Sequence, residues 1–323
     1  EELVKMQRIS LSNLSQSDDL ELKSTEMNKL NNCLIKDSFC LLIDHGINKE
    51  IFDNAYLQSE LFHSLPHNNE IKQAAHYRNA FASRGWSPEG EEPAYSPNTK
   101  ATCSAYDMCY EMDEIDEEFE SFGPNHWPPQ MPEFKIAVYD YYLSLSIVEK
   151  RFASCLEELL KIEKGFISSK MTERSPSTMR LIYYPAVDKK PDENLFGISA
   201  HTDYEVFTFL TQRQIGSQVQ KPDGEWIEIE CDPYEIILMI GDMTEVMTNG
   251  KIKATPHRVP PTKWERYSIT RFCAIDGHHI VEPLKQFIDP DIGPKYKPVS
   301  QIKNITDGLA EASANTDEMK NIS

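Results

Sequence analysis

Positive charge is scarce in this sequence. Lys and Arg total 33 against 52 Asp and Glu, a formal charge of −19. Such a surface repels phosphate backbones and anionic headgroups, so nucleic acid and membrane are set aside as partners. No apolar run approaches the ~20 residues a bilayer helix needs. There is no C-x-x-C pair either. The seven cysteines (Cys33, Cys40, Cys103, Cys109, Cys155, Cys231 and Cys273) are scattered and odd in number. That pattern argues against a disulfide framework and a cysteine zinc site, and a reducing, cytoplasmic setting is expected. The start, Glu1-Glu2-Leu3-Val4-Lys5, lacks the basic and apolar regions of a secretory signal. Internal repeats and long linkers are missing, so residues 1–323 are expected to form a single domain; a monomer is expected as well.

What is present suits a globular protein: 40% hydrophobic and 26% charged residues exclude a disordered chain, a collagen repeat and a coiled-coil rod. Residues 1–130 read as a cap region, with a buried strand at Phe39 to Ile43 and a helix from Ile51 to Leu65 that Pro66 ends. The acidic stretch with Glu111, Asp113, Glu114, Asp116, Glu117, Glu118 and Glu120 reads as a solvated face. Within 131–164, Phe134, Val138, Tyr141, Leu145, Val148, Phe152, Cys155 and Leu159 step by three and four, which predicts a long helix packed on the main sheet. In 177–280 the period changes to short β-branched and aromatic runs: Met179 to Tyr184, Phe196 to His201, Val206 to Leu210, Trp226 to Ile229, Ile236 to Ile240 and Tyr267 to Ile275. Turn formers separate them. The fold class predicted is mixed α/β with an all-β core, a jelly roll flanked by helices. Residues 281–323 form a polar tail with a last helix near Thr306 to Ala314.

Two of the nine histidines sit where chemistry is plausible. In His201-Thr202-Asp203 the first and third side chains leave the same face of an extended segment, so an imidazole and a carboxylate can reach one ion. His257, on a later strand, can add the third corner. Two His and one carboxylate form the ligand set of non-haem Fe(II) oxygenases. H-x-D alone is weak, since a buried His is more often a satisfied core residue. Arg266 and Ser268 share a face nine and eleven residues further on, and a guanidinium with a hydroxyl suits a carboxylate. Tyr184 can add a phenol to that grip. A buried structural salt bridge is as good an account of Arg266 taken alone.

Together these residues resemble the isopenicillin N synthase-like family of Fe(II)/2-oxoglutarate-dependent dioxygenases. The likeness includes Phe39 to Ile47 with His45-Gly46, Phe62 to Pro66, Gly123-Pro124-Asn125-His126-Trp127-Pro128, Arg180 to Pro185, Gly241-Asp242 and Thr248-Asn249-Gly250. It implies a double-stranded β-helix, cupin-like, with His201, Asp203 and His257 holding Fe(II). It implies further that Arg266 and Ser268, helped by Tyr184, bind the distal carboxylate of 2-oxoglutarate, with Arg180 near the same site. Dioxygen is the other co-substrate. By the same analogy Arg78, Arg84, Trp86, Tyr106 and Phe207 are candidate substrate contacts, although a surface salt bridge is the better account of each arginine taken singly. Glu205 replaces a frequent glycine, as a structural hydrogen-bond partner or as a contact for a cationic substrate group. Ser38, Ser217 and Arg271 also depart from the family pattern.

The reaction implied is oxidation of a C–H of a small molecule, with 2-oxoglutarate going to succinate. Hydroxylation, desaturation and ring closure are open. The likeness to microbial and algal members suggests specialised metabolism and an amino-acid-derived substrate, with kainoid-synthase-like cyclisation of an N-prenylated amino acid as one version. Rival readings are an oxidase of the isopenicillin N synthase type that takes no 2-oxoglutarate, a zinc hydrolase, and a catalytically silent ligand-binding jelly roll. Zinc prefers a tetrahedral nitrogen and sulfur set, and would leave the Arg and Ser pair without a purpose.

Overall fold

The computed structural model describes residues 6–80, 84–115, 122–188 and 190–322. In chain order the strands are β1 (Arg8–Ser10), β2 (Phe39–Ile43), β3 (Gly85–Ser87), β4 (Lys100–Ala101), β5 (Ser104–Met108), β6 (Met179–Tyr184), β7 (Leu195–Phe196), β8 (Ile198–His201), β9 (Phe207–Gln212), β10 (Gln218–Gln220), β11 (Trp226–Glu228), β12 (Ile236–Ile240), β13 (His257–Val259), β14 (Arg266–Cys273), β15 (Ile280–Val281) and β16 (Val299–Ser300). The helices are α1 (Leu11–Ser15), α2 (Leu20–Lys36), α3 (Lys49–His63), α4 (Glu70–Ala74), α5 (Pro132–Leu160), α6 (Asp242–Met247) and α7 (Gln301–Ile322).

Two sheets face each other. The larger has eight strands in the order β1-β2-β12-β9-β14-β6-β5-β3, and the smaller has four in the order β11-β10-β13-β8. Pairings in both are antiparallel except β1 with β2. A strand's side-chain period of two sends alternate residues to opposite faces. On β2 and β12, Phe39, Leu41, Ile237 and Met239 pack inward against Val219, Ile227 and Ile229 of the small sheet region. Cys40, Leu42, Ile236 and Leu238 face the helices instead. The jelly roll is thus a large sheet between a small sheet and a helical layer.

The helical layer follows from local chemistry. Pro132 begins α5 at a position where its missing N–H costs nothing, and Lys161 in left-handed conformation (φ 55°) ends it. Its stripe from Phe134 to Cys155 is buried as expected, against the outer face of the large sheet. Arg271 reaches out from β14 on that face to a buried ion pair with Glu149 of α5, and lies 4.1 Å over the Tyr142 ring. This accounts for a cation where the family usually has an aromatic.

Some expectations need correction. Phe196 to His201 is two strands, because Leu195–Phe196 pairs with β4 while Ile198–His201 pairs with β13 in a different sheet, and Gly197 between them passes so near Tyr184 that a Cβ would fall 2.7 Å from its ring. The last helix is longer than 306–314, spanning Gln301–Ile322. Of the acidic stretch, Asp113 and Glu114 are exposed, but Glu111 takes hydrogen bonds from Asn125 and Trp127 at 2.8 and 2.7 Å. Asp116, Glu117, Glu118 and Glu120 lie outside the described residues.

Candidate metal centre and active site

β8 and β13 lie side by side in the small sheet, with His257 in register with His201. Two residues beyond β8, Asp203 Oδ1 lies 3.6 Å from Nε2 of each imidazole, and one donor atom from each side chain falls within 4.8 Å of the others. The polarity of the rings is set by the backbone. His201 Nδ1 lies 2.8 Å from the Ser199 carbonyl and His257 Nδ1 lies 3.0 Å from that of Thr255. A carbonyl only accepts, so each Nδ1 carries the proton and each Nε2 lone pair faces the centre. Burial, then the neighbouring His257, pulls His201 down to about 4, which keeps it neutral near pH 7. Thr208 Oγ1 donates to Asp203 Oδ2 at 2.5 Å, leaving Oδ1 for an ion.

Arg266 and Ser268 point from β14 into the space between the sheets, and Tyr184 stands opposite Arg266 on β6. The Arg266 guanidinium is fully buried, 5.0 Å over the Tyr184 ring. Its Nη2 donates to Gln212 Oε1 at 3.2 Å and Ser217 Oγ at 3.1 Å. Gly216 is needed beside it, since a Cβ there would lie 2.8 Å from Arg266 Nε. Arg266 Nη1 has no partner, and Ser268 Oγ, beside the Tyr184 phenol, has none in good hydrogen-bond geometry. Two orphaned donors at such depth are costly unless an acceptor arrives, and a carboxylate fits both. Arg266 carries no salt bridge among the described residues; its contacts are the Tyr184 ring, Gln212, Gln214 and Ser217.

A cavity of about 410 Å³ opens on the other side of His201 and Asp203. Arg84 and Glu205 line it, as does Arg180. Arg180 is no free clamp: it binds Asp107 with two hydrogen bonds of 2.8 Å and Glu92 with one of 2.5 Å. Burial lowers its pKa, but Asp107 and Glu92 more than offset this and raise it overall. Burial first, then Asp203 and Asp242, pushes the Glu205 carboxyl well above its usual range.

The other four candidates do not reach the cavity. Phe207 is the outward residue of its strand pair and packs on Phe152 of α5, 4.9 Å between centroids. Tyr106 and Trp86 are cross-strand partners on that same outer face, with Tyr106 Oη donating to the His126 carbonyl and Trp86 Nε1 to Ser104 Oγ. Arg78 is exposed and pairs with Glu91. The inward residues are instead Asp107 and Phe272. Tyr95 was missed as well, and it stacks on His201 at 4.5 Å while donating to Glu92. Period-two parity, applied strand by strand, could have found Asp107 and Phe272; Tyr95 has no such signal.

Residues 175–275, which contain both histidines, Asp203, Arg266 and Ser268, match the family described as the 2OG-Fe(II) oxygenase superfamily. Residues 7–130 match the N-terminal region of the non-haem dioxygenases named for morphine synthesis. The chain belongs to the 2OG-Fe(II) oxygenase superfamily. This oxygenase is 33% identical over 185 residues, 55% of the chain and 53% of the relative, to the 2-oxoglutarate-Fe(II) type oxidoreductase hxnY of Emericella nidulans. It is 25% identical over 94% of its length to a 2-oxoglutarate-Fe(II) type oxidoreductase of Aspergillus fumigatus, 91% of which is covered. Among solved structures, a full-length Neurospora crassa protein in complex with alpha-KG superposes with a TM-score of 0.81 at 22% identity, covering 94% of this chain and 96% of that one. The oxygenase is therefore an enzyme that uses Fe(II), 2-oxoglutarate and O₂, and the oxidase without 2-oxoglutarate, the zinc hydrolase and the silent jelly roll are set aside. No helix among the described residues is long and apolar enough to cross a membrane.

Proposed function

We propose that His201, Asp203 and His257 hold Fe(II), that Arg266 and Ser268 with Tyr184 hold the distal carboxylate of 2-oxoglutarate, and that a small organic molecule is oxidised at a C–H in the 410 Å³ cavity. The observation that carries this is the pair of orphaned donors, Arg266 Nη1 and Ser268 Oγ, buried on the inner face of the same barrel as the converging ligand atoms. Fe(II) with its co-substrate supplies the oxidising power. The chain supplies geometry. The Ser199 and Thr255 carbonyls hold both Nε2 lone pairs inward, Thr208 orients Asp203, and Arg266 gives the co-substrate one direction of entry. Substrate then comes from the α7 side, against Phe272, Ile302, Ile305 and Leu309.

Within the superfamily, the motif order from Phe39 to Ser268 supports placement with the isopenicillin N synthase-like members. The fungal relatives and the mostly apolar cavity wall support a role in specialised metabolism. Arg84, Glu205 and the Arg180 cluster at one end support a substrate with a polar, amino-acid-like end. Hydroxylation, desaturation and cyclisation, the kainoid-type closure included, all begin with loss of hydrogen from a substrate carbon. All seven cysteines are free, which supports a cytoplasmic setting, and the chain is taken to act as a monomer. β1, β2, β3 and β5 are bonded into the sheet that carries the clamp, which supports one catalytic domain.

Anaerobic titration of the apoprotein with Fe(II) and 2-oxoglutarate tests the assignment through the visible charge-transfer band of the chelate. The band should require both components, vanish in Asp203→Ala, and in Arg266→Ala need at least about tenfold more 2-oxoglutarate, the loss of a charge-assisted contact. A normal band in Asp203→Ala, or an unchanged 2-oxoglutarate requirement in Arg266→Ala, defeats the corresponding role.

A further inference from the structure

Between the ligand Asp203 and the substrate cavity lies a residue that no catalytic role uses. Tyr204 meets α7, the C-terminal helix, at Gly308, where a Cβ would fall 2.2 Å from Tyr204 Cε1 and 2.3 Å from Cζ. Glycine weakens a helix interior. Here it lets the helix axis come down onto the ring. Around this contact the first turn of α7 is bonded to the metal-side loop. Gln301 Nε2 and Asn304 Nδ2 both donate to the Tyr204 carbonyl at 3.0 Å. Asn304 also donates to Asp242 Oδ2 at 3.3 Å, while Thr202 Oγ1 donates to Asp242 Oδ1 at 2.9 Å, and the Asp242 N–H donates to the Asp203 carbonyl at 2.8 Å.

The far end of α7 is tied to the second ligand. Asn315 Nδ2 donates to the Ala94 carbonyl at 3.1 Å, and the Ala94 N–H donates to Thr316 Oγ1 at 2.8 Å. The next residue, Tyr95, is the one stacked on His201. Between these ties, Ile302, Ile305 and Leu309 step by three and four to form the apolar wall of the cavity. The start of the helix is also bonded through the Gln301 and Ile302 N–H groups to the His279 and Gly277 carbonyls, but over residues 301–317 only Gln301 and Ala312 are buried. A helix with so little buried surface is stable only through its docking contacts.

We propose that α7 is a metal-responsive wall of the substrate cavity, indexed by Tyr204 against Gly308, so that seating Asp203 and His201 on an ion and seating the apolar ridge over the cavity stabilise one another. This rests on the assignment of His201 and Asp203 as ligands. Coupling between two such sites is reciprocal. The substrate that fits beneath the ridge has a hydrocarbon face toward Ile302, Ile305 and Leu309 and a polar edge toward Glu205 and Arg84.

Hydrogen exchange read by mass spectrometry on the full chain, kept anaerobic, tests this without turnover. Adding Fe(II) and 2-oxoglutarate should slow exchange across residues 301–317 by about fivefold or more, the range of ordinary site-to-site coupling. In Gly308→Leu the charge-transfer band should persist while α7 exchanges fast and no longer responds to the metal. Adding Tyr204→Ala to Gly308→Leu should restore the response, since the leucine then fills the space of the ring and the ties from Gln301 and Asn304 run to the backbone carbonyl of residue 204, which the change keeps. Asn304→Ala, which adds no bulk, should weaken the response in a chain whose folding is not at risk. A wild-type protein that shows the band with unchanged α7 exchange overturns the coupling, as does a Gly308→Leu protein whose helix stays protected. Absence of the band in wild type defeats the ligand assignment itself, and the coupling with it.

Discussion

Single residues here are placed by what burial costs them. His63 is buried between aromatic rings, 5.8 Å from Tyr183 and 6.5 Å from Tyr267, and burial, with the nearby Lys72 ammonium second, pulls its imidazole down to about 3. Its ordinary value in the unfolded chain is near 6.5. Between those values the unfolded state binds the proton and the folded state does not, so stability is complete above about pH 6.5 and falls as the pH is lowered toward 3. His63 alone accounts for roughly 3 kcal/mol of loss between pH 6.5 and 4. Urea midpoints measured across that range should fall steeply in the wild type and less steeply in His63→Phe; equal slopes would show that another group carries the loss. The site residues obey the same logic in reverse. Arg266 Nη1 and Ser268 Oγ are buried without partners, a cost that the proposed 2-oxoglutarate carboxylate would offset.

At the scale of elements, the period of two decides which side chains meet chemistry and which meet core. β9 sends Phe207 and Phe209 to the helices, while Thr208 reaches Asp203. β14 sends Arg271 to Glu149 and keeps Arg266, Ser268 and Phe272 inside. Phe207→Ala should therefore cost about 3–5 kcal/mol of stability, as a large-to-small change in a packed core does, and leave the 2-oxoglutarate requirement of the folded fraction unchanged. Phe272→Ala should do the opposite, with a small stability loss and an altered coupling of 2-oxoglutarate consumption to substrate. Urea unfolding beside succinate release separates the two. The helical elements were legible for a similar reason: α5 shows its buried stripe because one face packs along its whole length. α7 was seen only in part, since its docking face carries three apolar residues among polar ones.

Across the whole molecule, both sheets and the C-terminal helix converge on one centre. Arg266 and Ser268, the proposed clamp, are on the large sheet, the imidazoles on the small one, and the cavity wall on α7. Ligands that bind only this assembled state must stabilise all of it. Fe(II) with 2-oxoglutarate at a hundredfold excess over Kd should add about 2.7 kcal/mol to unfolding, seen as a raised Tm by anaerobic calorimetry. The gain should disappear in Asp203→Ala, and its survival there would place the ion elsewhere.

The sequence by itself determined the jelly roll, the strand positions of Met179–Tyr184 and Ile236–Ile240, and the clustering of His201, Asp203 and His257. These are written in patterns of two to four residues, which backbone periodicity turns directly into direction in space. Tertiary structure alone decided which substrate candidates face the cavity, that Tyr95 lies on His201, and that α7 covers the site. Tyr204 and its partners Gln301 and Asn304 are separated by 97 and 100 residues. Contacts at that distance depend on how whole sheets and helices pack, and leave no local period for a sequence to display.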